Sequence, residues 1–459
     1  MAMTRFNDAL RLAAQAAQNP TLPKEWPVRV VRDVYGRVRF AIACNADQYP
    51  AAARENLESA LVKLGVYATK GEIIFSDDLS NPDLLFKSQD WHLTTVSGGF
   101  DEEDQPKPDL TIWVLDRQIM GQDWLNPIAK PAPHPHRIVF YGLKGGVGRS
   151  TALAMVAYGL AREGKNVLLL DFDLESPGLS GLLLPPDRVA EFGLVDWFVE
   201  DAVVQGDSVL RNLVSPSPLA DTTTGTIRVA SAMGQGESAY LSKLTRVYAD
   251  VPSREDRPGL QRFAARMQYV VQQLEAQEKP DVVLIDSRAG LHDVAAISIT
   301  SLADTALLFA TDGAQNWLGY AQLFAHWQHR PEVCTQVRER LAIVQALAPK
   351  SNRESRFNAF LNHAYELFSS TLYDEIAPPS SKVTVTPPVI EFNNDLYNPD
   401  MGDEAAPHFP IRVDWDEVFQ EFDPKLRPEQ GGVSDAEIDA KFGALIAWVK
   451  SRIAGTAND

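Results

Sequence analysis

Residues 141–151 read Tyr-Gly-Leu-Lys-Gly-Gly-Val-Gly-Arg-Ser-Thr, and they lie between a short apolar, β-branched run and an alanine-rich stretch. This order predicts a strand, a glycine-rich turn and a helix, which leaves backbone N–H groups and a positive helix end free to hold phosphate. Gly145, Gly146 and Gly148 allow backbone conformations closed to other residues, and Ser150 offers a hydroxyl to Mg²⁺. The stretch therefore predicts a phosphate-binding loop.

Two apolar segments farther along the chain support this prediction. A buried-type strand that begins at Val167 delivers Asp171 and Asp173, and a second strand, from Asp281, ends in Asp286. Carboxylates at the C-terminal ends of such strands lie at the edge of a parallel sheet, where nucleotides bind. We therefore expect these acids beside the loop.

Strands and helices alternate through the middle of the chain. Further buried strands are predicted at residues 303–310 and 341–347, and helices at residues 259–277 and 317–328. This alternation predicts an α/β fold with a doubly wound, mostly parallel sheet and helices on both faces. Residues 203–225 are mixed in character and predict a loop.

The loop and the two acidic strands resemble the ParA/MinD-type P-loop ATPases of the SIMIBI class, whose deviant Walker A loop reads Lys-Gly-Gly-x-Gly-Lys-[Ser/Thr]. The resemblance covers about residues 137–350. It implies that Lys144 crosses a dimer interface to the partner's phosphates and that Asp173 handles the attacking water. It also implies that Asp286 lies near Mg²⁺ and that the Gly290 amide faces the γ-phosphate.

ATP and Mg²⁺ are the cofactors that this resemblance implies. The predicted metal ligands are Ser150, Asp171 and Asp286, and the predicted catalytic residues are Asp173, Lys144 and Arg149. The predicted nucleotide contacts are Lys144, Gly145, Gly146, Val147, Gly148, Arg149, Ser150, Thr151 and Gly290.

Arg149 departs from the family pattern, because it replaces the loop lysine that touches the β- and γ-phosphates. Arginine keeps the charge and binds phosphate in a fork, but it is bulkier and differently hydrated than lysine. We therefore predict nucleotide binding with weak hydrolysis.

The length of 459 residues predicts two domains. We place a smaller N-terminal α/β or α+β domain at residues 1–126, a proline-rich linker at 127–136, and the P-loop ATPase domain with a C-terminal helical extension at 137–459.

The net charge and the composition narrow the cellular compartment and the binding partners that we expect for the protein. A net charge of −18 opposes broad binding to nucleic acid, although a local basic patch remains compatible with it. Cys44 and Cys334 form no metal or disulfide motif, which fits a reducing, cytoplasmic setting. No apolar segment reaches the length of a membrane span, so we expect a soluble protein without membrane attachment.

Two surface features leave alternatives open. Residues 28–43 predict a β-hairpin around Tyr35-Gly36, and its Arg29, Arg37 and Arg39 form either a basic surface for an anionic partner or a solvated strand face. Residues 436–454 predict an amphipathic helix. MinD relatives end in a membrane-targeting helix, but the mixed charges of this one favour packing on the domain.

Two residues after the second acidic strand have open roles. Arg288 is predicted either to approach the γ-phosphate or the partner subunit, or to hold a loop carboxylate. His292 is expected to be a polar residue at a helix start.

These features favour a nucleotide-dependent homodimer switch that couples its ATP state to a protein or nucleic-acid partner. The alternatives are an ATP-dependent phosphotransferase or ligase on a related core, and a module that binds nucleotide without hydrolysis.

Overall fold

The structure is a computed structural model that describes residues 4–88, 90–100, 105–118, 120–126, 134–236, 239–255, 257–374, 396–419, 422–423, 426 and 432–455. The chain divides into two compact units, which are residues 1–122 with 329–331 and residues 123–328 with 332–459. Most of the proposed proline-rich linker, residues 127–133, lies outside the described residues. The domain boundaries given above stay a prediction.

The first unit is a five-stranded mixed sheet with helices, in the strand order β3-β2-β1-β5-β4. Its elements are α1 (Phe6–Ala17), β1 (Arg29–Arg32), β2 (Val38–Ala41), α2 (Ala51–Lys63), β3 (Ala68–Ile74), α3 (Asp83–Phe86), β4 (His92–Val96) and β5 (Leu110–Asp116). The sequence did not predict β4, whose three central residues are Leu93, Thr94 and Thr95.

The hairpin around Tyr35-Gly36 is confirmed, because β1 and β2 pair antiparallel. The Asp33 carboxylate closes its turn by accepting the backbone N–H groups of Tyr35 and Arg37, each at 2.9 Å. The Arg37 side chain pairs with Asp33, and Arg29 donates to the Phe86 carbonyl at 3.1 Å. These internal bonds favour a structural role for the strand face.

The second unit is built on an eight-stranded sheet in the order β13-β12-β11-β6-β10-β7-β9-β8. Its strands are β6 (His136–Gly142), β7 (Asn166–Phe172), β8 (Val214–Pro216), β9 (Thr226–Ala230), β10 (Val282–Ser287), β11 (Thr305–Ala310), β12 (Leu341–Ala348) and β13 (Ile411–Asp414). All neighbours pair parallel except β8 and β9. The predicted doubly wound, mostly parallel sheet is confirmed.

Helices cover both faces of this sheet, so β10 and β11 are buried along their whole length. The helices are α4 (Arg149–Arg162), α5 (Leu179–Leu183), α6 (Leu194–Ala202), α7 (Gly206–Leu210), α8 (Tyr240–Val247), α9 (Phe263–Glu278), α10 (Asp293–Ile297), α11 (Ala314–Gln328), α12 (Pro331–Arg338), α13 (Arg353–Thr371) and α14 (Asp435–Gly455).

The loop predicted at residues 203–225 is wrong in part, because this segment contains α7 and β8. Both elements are too short to show a period of their own, and β8 exists through its pairing with β9. The edge strand β13 was also missed, since only its parallel pairing with β12 defines it.

The C-terminal helix α14 packs on the second unit, as its mixed charges predicted. Ile438, Phe442, Leu445, Ile446 and Val449 are buried in the cluster that also contains the apolar side of α4. No helix in the described part of the chain combines the length and apolar content that a membrane crossing requires.

Candidate functional site

The glycine-rich loop joins β6 to α4 at the C-terminal edge of the sheet. Gly146 and Gly148 have φ values of +73° and +78°, which side-chain-bearing residues rarely adopt. An added Cβ at Gly145 or Gly146 would meet nothing within 4 Å, so the loop faces open space. No described side chain caps the start of α4, and its first N–H groups are therefore available to an anion.

Sheet order brings three carboxylates to this loop. β10 lies between β6 and β7, and Asp286 on β10 is in register with Asp171 on β7. Each Asp171 oxygen accepts a backbone N–H, from Asp173 at 3.2 Å and from Leu179 at 3.1 Å. Burial, and then the neighbouring Asp286 charge, raises the pKa of Asp171 well above its usual range.

Arg149 bridges the other two carboxylates. Its Nε donates to Asp286 Oδ1 and its Nη2 donates to Asp173 Oδ2, each at 2.8 Å. The arginine side chain is only 7% exposed, and its Nη1 is buried without a hydrogen-bond partner among the described residues. The sequence predicted a phosphate contact for Arg149; the structure adds the two ion pairs, which link segments distant in the chain.

A cavity of about 350 Å³ opens over the loop. Of the residues predicted to contact nucleotide, its lining includes Lys144, Gly146, Val147, Gly148, Arg149, Ser150 and Thr151. Lys144 makes no ion pair with the described residues, so its charge is available to a ligand. These predicted contacts share one site, but a bound nucleotide is still a prediction.

Gly290 is placed differently from the other loop residues. Its amide N–H donates to the Gly142 carbonyl at 3.2 Å, and its φ is +83°. Because that N–H already has an acceptor, a contact with a γ-phosphate requires the segment after β10 to move. The proposed Gly290 contact stays a prediction.

The segments after β7 and β10 are joined by a second ion pair. Arg288 pairs with Glu175, and the Tyr248 hydroxyl donates to the same carboxylate. Of the two roles left open for Arg288, the structure thus favours holding a loop carboxylate. His292 is the N-cap of α10 and accepts the Val294 N–H at 3.3 Å, so its predicted role at a helix start is confirmed.

Sequence reasoning missed the far side of the cavity. Trp415 follows β13 and is 43% exposed. Leu347 has a φ of +50°, where the pairing of β12 with β13 shifts register. No local motif marks these positions, because they meet the loop only through sheet order and the packing of α14. The remaining lining residues are Val413, Asp416, Phe419, Lys441 and Phe442.

The carboxylates predicted as metal ligands, Asp171 and Asp286, have other partners and do not suit a resident Mg²⁺ in this arrangement, whereas Ser150 lines the cavity. Two of the carboxylates are ion-paired to Arg149, and both oxygens of Asp171 accept backbone N–H groups. Across the described residues, no group of three or more His, Cys, Asp or Glu side chains is placed to hold a metal ion. The loop amides and Lys144, by contrast, suit phosphate oxygens.

Comparison with known proteins gives one family match. Residues 136–213 match the AAA domain family. The AAA match begins at β6, includes the phosphate-binding loop and α4, and ends before β8. No functionally curated protein has a matching sequence.

Several solved structures also resemble the chain. A ParA family ATPase from Chlorobium tepidum TLS shares 15% identity over 70% of this chain and 96% of its own, with a TM-score of 0.35. MinD from Aquifex aeolicus shares 16% identity over 46% and 68%, with a TM-score of 0.30. Cobyrinic acid a,c-diamide synthase from Mycobacterium smegmatis, with bound ADP and magnesium, shares 16% over 53% and 86%, with a TM-score of 0.34. The resemblance predicted from the sequence is confirmed.

Proposed function

We propose that the second unit binds ATP at the start of α4 and works as a slowly hydrolysing switch whose nucleotide state a partner reads. The observation that carries this proposal is the N-terminus of α4, which no described side chain caps, beside Lys144, which makes no ion pair with the described residues. Phosphate oxygens bound there accept loop N–H groups and the Lys144 ammonium, and the helix dipole adds to the attraction.

The base end of the nucleotide belongs at the far side of the cavity. Trp415 offers exposed aromatic surface there, beside the largely buried Phe419. Leu347 covers the loop, since one of its methyl carbons lies 3.3 Å from a Cβ built on Gly148. Stacking on aromatic side chains stabilises nucleotide bases by about 1–3 kcal/mol each. The cavity thus supports phosphate and base binding together.

Slow hydrolysis follows from the ion pairs of Arg149. Phosphoryl transfer is accelerated by positive charge placed where negative charge develops. The guanidinium shares its charge with Asp173 and Asp286, so less of it acts on a transition state. Asp173 is itself held by Arg149, which restrains the residue assigned to the attacking water.

The same ion pairs connect the nucleotide to the surface. Arg149 ties the segment after β7 to the end of β10, and Arg288 with Glu175 ties the two segments again. A phosphate that contacts Arg149 therefore acts on both segments at once. Segments that become ordered on contact with a γ-phosphate and are released on its hydrolysis are a known way to switch a protein between two states.

We further propose that ATP closes two copies of the chain face to face, with Lys144 reaching the partner's phosphates. Light scattering with and without ATP tests this, and we expect the mass to double only with ATP. Lys144→Ala should remove the doubling and weaken ATP binding only in part, because the loop N–H groups still hold the phosphates while the contact with the partner's phosphates is lost. Lys165→Ala is the control, since Lys165 is exposed and lies beyond the C-terminal end of α4.

An unchanged mass of the wild type with and without ATP contradicts the switch. The second candidate, a module that binds ATP without hydrolysing it, is favoured by the same Arg149 ion pairs. A phosphate-release assay separates the two, because the module releases no phosphate above the rate of free ATP.

A further inference from the structure

We propose that the site binds the triphosphate without a divalent cation, because the Arg149 guanidinium already pairs with Asp286, a predicted metal ligand, and with Asp173. This inference rests on the proposed nucleotide binding and goes beyond it by naming what neutralises the phosphates. Three features of Arg149 matter here: its bridging geometry, its anchoring in α4, and a buried nitrogen that has no hydrogen-bond partner among the described residues.

The bridging geometry is symmetric. Asp286 lies at the end of β10, and Asp173 lies just after the neighbouring strand β7. Each carboxylate accepts a hydrogen bond of 2.8 Å from one nitrogen of the same guanidinium. An Mg²⁺ ion bonded to the two accepting oxygens, at about 2.0–2.1 Å, would have to displace the arginine. The ion must then break two buried, charge-assisted hydrogen bonds.

The arginine is firmly anchored in this place. Arg149 is the first residue of α4, and most of the next turns of that helix are fully buried against the sheet. A cation tethered in this way has a high effective concentration at the carboxylates, which an ion from solution must exceed. The third acid, Asp171, already accepts two backbone N–H groups.

The remaining nitrogen of Arg149 points to a ligand. Nη1 has no accessible surface and no hydrogen-bond partner among the described residues, although Arg149 lines the cavity over the loop. A buried N–H donor requires an acceptor, and an oxygen of phosphate is the acceptor that guanidinium groups bind best. A phosphate oxygen that reached Nη1 would satisfy this donor while the other two nitrogens keep both carboxylates.

The test is ATP affinity by calorimetry in buffer with Mg²⁺ and in buffer with excess EDTA. For the wild type we expect the two dissociation constants to agree within about threefold. For Arg149→Lys we expect EDTA to weaken binding at least about tenfold, because a single ammonium cannot fork between two carboxylates and leaves one free for the ion. Circular dichroism verifies that the variant is folded.

Arg137→Lys is the matched control. Arg137 forms an equally buried ion pair, with both Glu275 oxygens at 2.7 Å, at the other end of β6. Arg137→Lys should bind ATP with the same affinity in buffer with Mg²⁺ and in buffer with EDTA. A wild type that binds ATP only with Mg²⁺ overturns this inference and leaves the proposed function standing. A folded Arg149→Lys that stays insensitive to EDTA overturns it too, whereas no binding in either buffer contradicts the proposed function itself.

Discussion

Gly159 on α4 and Gly443 on α14 both lie inside helices, yet we expect alanine to have opposite effects at the two positions. A Cβ on Gly159 would meet three carbons of Ile446 at 2.7, 2.9 and 3.1 Å, whereas a Cβ on Gly443 would meet nothing within 4 Å. Replacing an interior helix glycine by alanine stabilises by about 0.5–1 kcal/mol. Overpacking a core costs about 1–3 kcal/mol.

The sum of these two contributions decides whether alanine stabilises or destabilises the protein at each position. Gly443→Ala gains helix propensity without overpacking and should stabilise the protein by up to about 1 kcal/mol. Gly159→Ala carries both, and should destabilise by on the order of 1 kcal/mol. Ile446→Ala alone should cost about 2–5 kcal/mol, and Gly159→Ala added to it should then be stabilising, because the clashing carbons are gone.

Urea unfolding followed by circular dichroism measures these changes. Hydrogen exchange by mass spectrometry locates them, since a chain of two units need not unfold in one step. If Gly159→Ala stabilises as much as Gly443→Ala, then α14 does not pack on α4. Lys441 and Phe442 of α14 would then not line the cavity.

Three further predictions follow from single residues. Burial raises the pKa of Asp123 to about 6, so the native state holds a proton that the unfolded state releases. The contribution of Asp123 to stability should therefore be lost as the pH rises from about 4 to 6. Comparison of wild type and Asp123→Asn by urea unfolding at about pH 4 and about pH 6 should show a difference in this pH dependence of up to about 3 kcal/mol. An unchanged pH profile contradicts the assignment. Trp415→Ala should weaken ATP binding about fivefold to a hundredfold through lost stacking, while Trp113→Ala, at 44% exposure in the first unit, should not. If both variants bind ATP with equal affinity, Trp415 does not stack on the nucleotide. Arg149→Lys should preserve or raise ATP turnover in a phosphate-release assay with Mg²⁺, and loss of turnover in the folded variant would make Arg149 a catalytic group in its own right.

The sequence predicted those parts of the site that are local in the chain. The loop at residues 141–151 and the acids Asp171 and Asp286 lie at strand ends that are apparent from apolar runs, and sheet order brings them together. Interactions between distant segments escaped prediction. The ion pairs of Arg149 span 24 and 137 residues, and they depend on the register of three strands.

The far wall of the cavity could not be predicted for the same reason. Trp415 is placed by β13, a four-residue strand that exists only through its pairing with β12. Lys441 and Phe442 reach the loop because α14 packs over α4, which periodicity indicates only as an apolar face without a named partner.

The most direct test of nucleotide binding at the start of α4 is calorimetry of ATP with the wild type, Gly146→Val and Gly65→Val. Both glycines have positive φ, +73° and +59°, and both face open space, so the backbone strain of valine is matched. Only Gly146 lines the cavity. We predict that the wild type and Gly65→Val bind ATP and that Gly146→Val does not. Equal binding by all three proteins, or none by the wild type, would contradict the account.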